Sequence, residues 1–318
     1  MNVLSLFDGM SGGQQALEKA GVDVTRYYAS EVDPYAMQIT QKNYPKTIQL
    51  GSITTLNKKQ LKKLEIDFVI GGSPCQGFSM AGKMKGMSTK QGVEITTLKQ
   101  YKKLKKKGFI FDGQSYLFWE YVRVLHIVKP KYFLLENIRV HNKWRDIFNR
   151  IIGVPPIFID SRAVCCQSRG RYYWTNIKGA TGLESTNRYT LQNIIDVDAP
   201  SKYTLTDKAV AIHNQKGRFD VGIATHDEVI LSTRASIGVS ATTIGTLLCQ
   251  HNVENFGGKT FLYNKKSKCY RRMTPVECER LQTVKDGYTD GVSDTQRYKM
   301  LGNGFTIDVI AHLLKGMV

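Results

Sequence analysis

Short apolar runs alternate with amphipathic stretches along the first half of the chain. Val3 to Phe7 predicts a buried strand, and residues 14–20 a helix closed by Gly21, whose missing Cβ suits a left-handed C-cap. Arg26 to Ser30 predicts a second strand, Ile66 to Ile70 a third, Tyr116 to Val128 a helix stopped before Pro130, and Tyr132 to Leu135 another strand. Strands interleaved with helices imply an α/β fold built on a doubly wound, mostly parallel sheet. From about Ile177 to Tyr270 this rhythm gives way to short segments rich in Thr, Ser, Asn and Gly, the pattern of a smaller, loop-built lobe. Helical patterning returns over 274–282 and over 306–314, after the turn Leu301-Gly302-Asn303-Gly304. The expected domains are therefore 1–177, 178–270 and a return to the first domain over 271–318.

In open α/β sheets ligands bind beyond the carboxyl ends of the strands. The first strand runs into Asp8-Gly9-Met10-Ser11-Gly12-Gly13, the second into Glu31-Val32-Asp33, the third into Gly71-Gly72-Ser73-Pro74-Cys75-Gln76, and the last into Glu136-Asn137. All four endings are expected on one rim. The glycine-rich turn lets backbone approach a ligand, although it does not fit the dinucleotide pattern G-x-G-x-x-G. An acid ending the second strand, Glu31, can accept hydrogen bonds from ribose hydroxyls, which implies a nucleoside-bearing cofactor. Cys75 follows Pro74 at a rigid strand end. Inert packing explains most lone cysteines, but a thiol near basic residues and a helix start is drawn toward thiolate.

Charge adds a partner to this picture. The net charge is +18 and the isoelectric point about 9.6, a field that attracts polyanions, although a basic, well-solvated surface is the plain alternative. Residues 79–108 turn polar and end in Lys99, Lys102, Lys103, Lys105, Lys106 and Lys107, which reads as a mobile loop directly after Cys75. No apolar run approaches the roughly 20 residues that a bilayer span needs, and no signal peptide opens the chain, so an intracellular, cytoplasmic protein is expected. The six cysteines contain no C-x-x-C pair. Cys249, His251, Cys269 and Cys278 match no usual zinc spacing, so neither a metal nor a disulfide is expected.

A thiolate beside a nucleoside cofactor suits alkylation of carbon 5 of cytosine, an atom that is a poor nucleophile until another nucleophile adds at carbon 6. That chemistry also needs an acid at nitrogen 3, and Glu136 is placed for it, with Asn137 fixing the loop behind. Arg171 could hold the cytosine carbonyl and a phosphate.

The chain resembles the carbon-5 cytosine DNA methyltransferase family. The resemblance rests on six motifs in the family's order: residues 7–13, Pro74-Cys75-Gln76, Glu136-Asn137-Ile138, Gln167-x-Arg169-x-Arg171, Arg272 to Gln282, and Gly302-Asn303-Gly304-Phe305. It implies a Rossmann-like methyltransferase that transfers a methyl group from S-adenosylmethionine. It also implies cofactor contacts from Phe7, Asp8, Gly9, Ser11, Gly12, Gly13, Glu31, Val32, Ser52, Ile53, Pro74, Leu117, Asn303 and Gly304. Cys75, Glu136, Arg169 and Arg171 would surround the target base. Thr274, Pro275 and Glu277 are expected to cap and pack a helix. Gly51-Ser52-Ile53 carries serine where the family usually has an acid that meets the adenine amine. The Phe7-Asp8-Gly9 opening looks like that of the animal de novo enzymes, whereas the compact length looks bacterial or viral.

The reacting base must leave the duplex to meet both Cys75 and the methyl donor, so base flipping is expected. The expected partner is double-stranded DNA, met by a monomer, with restriction–modification or viral protection as the setting. Arg234, Gln250, His251, Asn252 and Asn255 in the variable lobe are the candidates for reading bases. Two other readings stand beside this one. One is a tRNA cytosine methyltransferase of the same fold, and the other a non-catalytic DNA-binding homologue.

Overall fold

The computed structural model describes the chain except residues 75, 79–86, 185–192, 197, 216–220, 225–228, 233–243, 246–260 and 265–267. The order of elements opens with β1 (Asn2–Leu6), α1 (Gly12–Lys19), β2 (Arg26–Ser30), α2 (Pro34–Asn43), β3 (Ile48–Gln49), α3 (Lys58–Lys63) and β4 (Phe68–Gly72). It continues with α4 (Leu98–Lys106), α5 (Leu117–Val128), β5 (Tyr132–Ile138), α6 (Asn142–Ile152), β6 (Ile157–Asp160), β7 (Gln167–Ser168) and β8 (Gly170–Thr175). The remaining elements are α7 (Asp207–Gln215), β9 (Val221–Ala224), β10 (Val229–Ser232), β11 (Ile244–Gly245), β12 (Phe261–Asn264), β13 (Cys269–Arg272), α8 (Pro275–Leu281), α9 (Asp294–Asn303) and α10 (Ile307–Leu314).

Among the described residues the main sheet has the order β3-β2-β1-β4-β5-β8-β6. β1 pairs in parallel with β2 and β4, β2 with β3, and β4 with β5, while β8 runs antiparallel to β5. The expected α/β class and mostly parallel sheet are thus present. Its central strands are buried apolar runs, the pattern of a parallel sheet covered on both faces. Leu4, Leu6, Val69 and Leu135 are fully or almost fully buried with Phe118, Trp119 and Trp174. The register Leu6↔Ser30, Leu6↔Gly71 and Gly71↔Leu135 brings the parallel strand ends level, so the residues after β1, β2 and β4 share one rim with Glu136.

Two expectations are corrected. Glu136 and Asn137 do not follow the strand but lie within β5, which continues to Ile138 because β8 pairs alongside it. The lysine-rich end of residues 79–108, read as a loop, contains helix α4. Thr97 caps it through the Gln100 N–H, and Tyr101 is fully buried between the partly buried Leu98 and Leu104. The apolar spacing 98, 101, 104 supplies a narrow buried stripe that the surrounding lysines obscure in the sequence.

The chain divides into two compact units, one of residues 1–159, 170–182 and 310–318, the other of 160–169 and 183–309. Residues 271–309 therefore group with the lobe rather than with the sheet, unlike the segmentation expected from composition. The second unit contains the antiparallel sheet β13-β12-β10-β9 and a parallel β7–β11 pair. Its α8 begins with a reciprocal cap between Thr274 and Glu277, with Pro275 in the first turn.

Candidate active site

At the ends of β1 and β2 the backbone is unusually constrained. Phe7, Gly9 and Ser11 all have left-handed φ values, of 58°, 58° and 61°. Asp8 holds this turn from inside. Its carboxylate accepts from Ser11 Oγ and Tyr27 OH, both at 2.8 Å, and its N–H donates to the Ser30 carbonyl at 3.2 Å. Burial pushes the Asp8 carboxyl up to about 6, the nearby Glu31 charge adds to this, and the Tyr27 and Ser11 hydroxyls oppose it. Gly12 and Gly13 open α1. A Cβ on Gly13 would meet the Tyr27 hydroxyl at 2.9 Å, so a larger residue there would disturb the group that holds Asp8.

Glu31 accepts three backbone N–H groups, Gly9 on Oε2 at 2.7 Å and Val32 and Asp33 on Oε1 at 2.7 and 2.9 Å. A carboxylate has about four lone-pair sites, so one remains on Oε2. Beside it Val32 is 68% exposed, an apolar side chain set on the rim. Gly51 is left-handed and its carbonyl accepts from Ser30 Oγ at 2.7 Å. Ser52 Oγ lies 2.8 Å from Thr54 Oγ1, so a hydroxyl pair stands at the position of the expected acid. Ile53 is buried, and Leu117 begins α5, partly buried against the core.

Sequence reasoning missed what fixes the Ile53 loop. Arg123 donates to the Ile53 carbonyl through Nη2 and to the Leu56 carbonyl through Nη1, each at 2.8 Å. Its Nε pairs with Glu120, a fully buried carboxylate that also accepts from Tyr101 OH and Lys105 Nζ. The available signal was Glu120 itself, a charge in the middle of the apolar helix run.

Cys75 and the residues 79–86 lie outside the described residues, but their flanks are fixed. Pro74 follows β4 after Ser73, and a short 3-10 turn runs over Gln76–Phe78. Asn137, almost fully buried, donates through Nδ2 to the Ser73 carbonyl at 3.1 Å and lies 3.0 Å from Ser73 Oγ. The Gly77 N–H donates to Ser115 Oγ at 2.8 Å. On β5, Glu136 Oε1 lies 3.0 Å from Arg171 Nε, each side chain 13% exposed. The register pairs Ile138 with Arg171, so Glu136 and Arg171 share one face as diagonal neighbours across the antiparallel pair.

The arginine motif is divided between the units. Arg171 belongs to the sheet unit, whereas Arg169 belongs to the second unit, where it is buried and donates to the Gly302 and Gly304 carbonyls at 3.2 and 2.9 Å. There it braces the turn that presents the exposed Asn303 at the end of α9. Arg234, Gln250, His251, Asn252 and Asn255 lie outside the described residues. Among the described residues no group of His, Cys, Asp or Glu could hold a metal ion, and no helix is long and apolar enough to cross a membrane.

A family model for the C-5 cytosine-specific DNA methylase matches residues 1–107, 103–153 and 167–318. The type II methyltransferase M1.ScrFI of Lactococcus lactis subsp. cremoris is 25% identical over 345 residues, covering 99% of this chain and 77% of that protein. The type II methyltransferase M.NgoPII of Neisseria gonorrhoeae is also 25% identical, covering 97% and 93%. The orphan methyltransferase M.SPRI of Bacillus phage SPR is 31% identical over 141 residues, 44% of this chain and 26% of that protein. Among solved structures, the Dnmt2 methyltransferase of S. pombe aligns with a TM-score of 0.64 at 18% identity, covering 100% of this chain and 99% of that one. The Entamoeba histolytica methyltransferase EhMeth gives 0.65 at 18%, covering 100% and 97%. At that identity the two structures speak for the fold.

Proposed function

The chain belongs to the C-5 cytosine-specific DNA methylase family, and from that premise we propose how its own residues methylate cytosine in DNA. Cys75 is the nucleophile. Its sulfur adds to carbon 6 of the base while Glu136 donates a proton to nitrogen 3, which makes carbon 5 electron-rich. Arg171 orients Glu136, and Asn137 holds the Ser73 end of the loop that carries Cys75. S-adenosylmethionine, when bound, supplies the methyl group that carbon 5 accepts. Loss of the carbon-5 proton then lets the sulfur leave. Stacked cytosine does not expose carbon 6 and the ring edge together, so the base is flipped out of the duplex.

The rim fits that donor. Glu31 keeps an acceptor site for a ribose hydroxyl, Val32 offers an apolar surface to a purine, and Ser52 with Thr54 offers hydroxyls where an acid is usual. Phe7, Gly9, Ser11, Gly12, Gly13, Ile53, Pro74 and Leu117 complete the set on the sheet unit, with Asp8 acting behind it, and the family resemblance adds Asn303 and Gly304, whose turn Arg169 braces within the second unit. The variable lobe within 178–270 reads the target sequence, and the enzyme works as a cytoplasmic monomer.

The observation that carries this reading is the Glu136–Arg171 pair on the strand whose Asn137 fixes the Ser73–Pro74 turn. The test incubates the protein with tritiated S-adenosylmethionine and unmethylated duplex DNA, beside Cys75→Ala and a tRNA pool, with bisulfite sequencing of the product. Label in DNA from the wild type alone is expected. Label only in tRNA, or equal label with Cys75→Ala, overturns it.

A further inference from the structure

The rim accounts for the base and its donor but not for where the chain concentrates its positive charge. Helices α3 and α4 both pack on α5. A cleft of about 1120 Å³ opens there, lined by Lys58 and Lys62 of α3, Lys102 of α4, and Arg123, His126 and Lys129 of α5 and its end. Glu65 and Asp67 also line it, and Asp67 is already held by the Asn2 N–H at 2.8 Å.

Within this region Glu120 pairs with both Lys105 and Arg123, which leaves a net positive charge on the trio. The exposed Lys58, Lys59, Lys62 and Lys63 of α3 have no acidic partner within ion-pair distance among the described residues, and neither do Lys99, Lys102, Lys103 and Lys106 of α4. Both helices repeat lysine at i and i+4: Lys58 with Lys62, Lys59 with Lys63, Lys99 with Lys103, and Lys102 with Lys106. Like charges at that spacing destabilise a helix, and bound anions relieve the repulsion.

We propose that the α3–α4 face is a second DNA surface, distinct from the base-binding rim, whose lysines take backbone phosphates without regard to sequence. Charge spread over two helices, the longer spanning roughly 13 Å at 1.5 Å per residue, fits an extended polyanion better than a single phosphate. Duplex DNA is the polyanion on which this family acts, so the inference rests on the proposed function for its partner.

The test measures binding of the full chain to a 30-base-pair duplex of adenine and thymine only, by fluorescence anisotropy across salt concentration. Each phosphate contact contributes about 0.9 to the slope of log affinity against log salt. The quadruple variant K58Q/K62Q/K102Q/K106Q should lower that slope by about 3 to 4. The corresponding Lys→Arg quadruple should retain it, and kcat on saturating cytosine-containing duplex at low salt should be unchanged. A slope equal to wild type overturns the proposal. So does a change seen with tRNA but not with the duplex, which would assign the face to RNA, or a fall in kcat alongside the slope, which would merge it with the rim. Wild-type methyl transfer, scored separately, bears on the function reading alone.

Discussion

Two arginine–glutamate pairs of the same chemistry, Arg171–Glu136 in the sheet unit and Arg271–Glu277 in the second, stand in different states of use. In the second unit Glu277 is fully buried, and Arg271 grips both its oxygens at 2.7 and 2.9 Å. The same carboxylate accepts from the Thr274 and Asp196 N–H groups, so its acceptor sites are filled. In the sheet unit Glu136 meets Arg171 through one oxygen and stays partly exposed at the rim. A carboxylate whose lone pairs are consumed holds the chain together. One with acceptor sites left, held at a strand end, is available to a substrate.

The sharpest way to break that contrast is to make the same change in both pairs. Glu136→Gln should cost about 10²- to 10⁴-fold in kcat, the range for a positioned acid, while unfolding in urea changes by about 1 kcal/mol or less. Glu277→Gln should do the reverse, losing about 3–5 kcal/mol of stability because it leaves the buried Arg271 uncompensated, with kcat per folded molecule retained. If both variants lost stability alike and neither lost kcat, Glu136 would be a structural residue.

How much of this was legible beforehand follows the same division. Strands whose apolar runs are buried on both faces, such as Arg26–Ser30, could be read directly, and so could α5 up to its stop before Pro130. The extension of β5 through Glu136 could not. It depends on β8, a partner more than thirty residues later in sequence, and no local pattern announces an antiparallel neighbour. Nor could α4 be read from its lysines, because its burial rests on Tyr101 finding Glu120. Cys75 and Glu136 were proposed from their chemistry. Ser73, Ser115 and Arg123 were not, because they act through backbone groups that only the folded chain brings to them. Arg169 and Arg171, two residues apart, read as one motif, yet they serve different units.

Asp8 extends the comparison to a buried acid that is held by hydroxyls instead of an arginine. Its folded value of about 6 lies above the ordinary 3.8, so the folded state binds the extra proton between them. The stabilisation from that proton is complete below about pH 4 and is lost as pH rises through about 6. Two units correspond to at most about 3 kcal/mol. Wild-type melting temperature should therefore carry a downward component from about pH 4 to 6 that Asp8→Asn removes. An unchanged pH profile in the variant would show that Asp8 is ionised throughout.

Arg123 lies between the two pairs in kind, since Nε serves a buried carboxylate while Nη1 and Nη2 serve the loop that presents Ile53. Arg123→Lys separates these roles, because an ammonium can still neutralise Glu120 but lacks the planar fork that reaches two carbonyls at once. If the fork holds the cofactor loop in its binding shape, the loss falls on binding. The KM for S-adenosylmethionine should rise about tenfold, about 1.4 kcal/mol, with kcat at saturating cofactor unchanged. A fall in kcat with KM unchanged would place Arg123 with Glu136 as part of the chemical step. A loss of stability with both constants unchanged would place it with Arg271, as an arginine that only holds the fold.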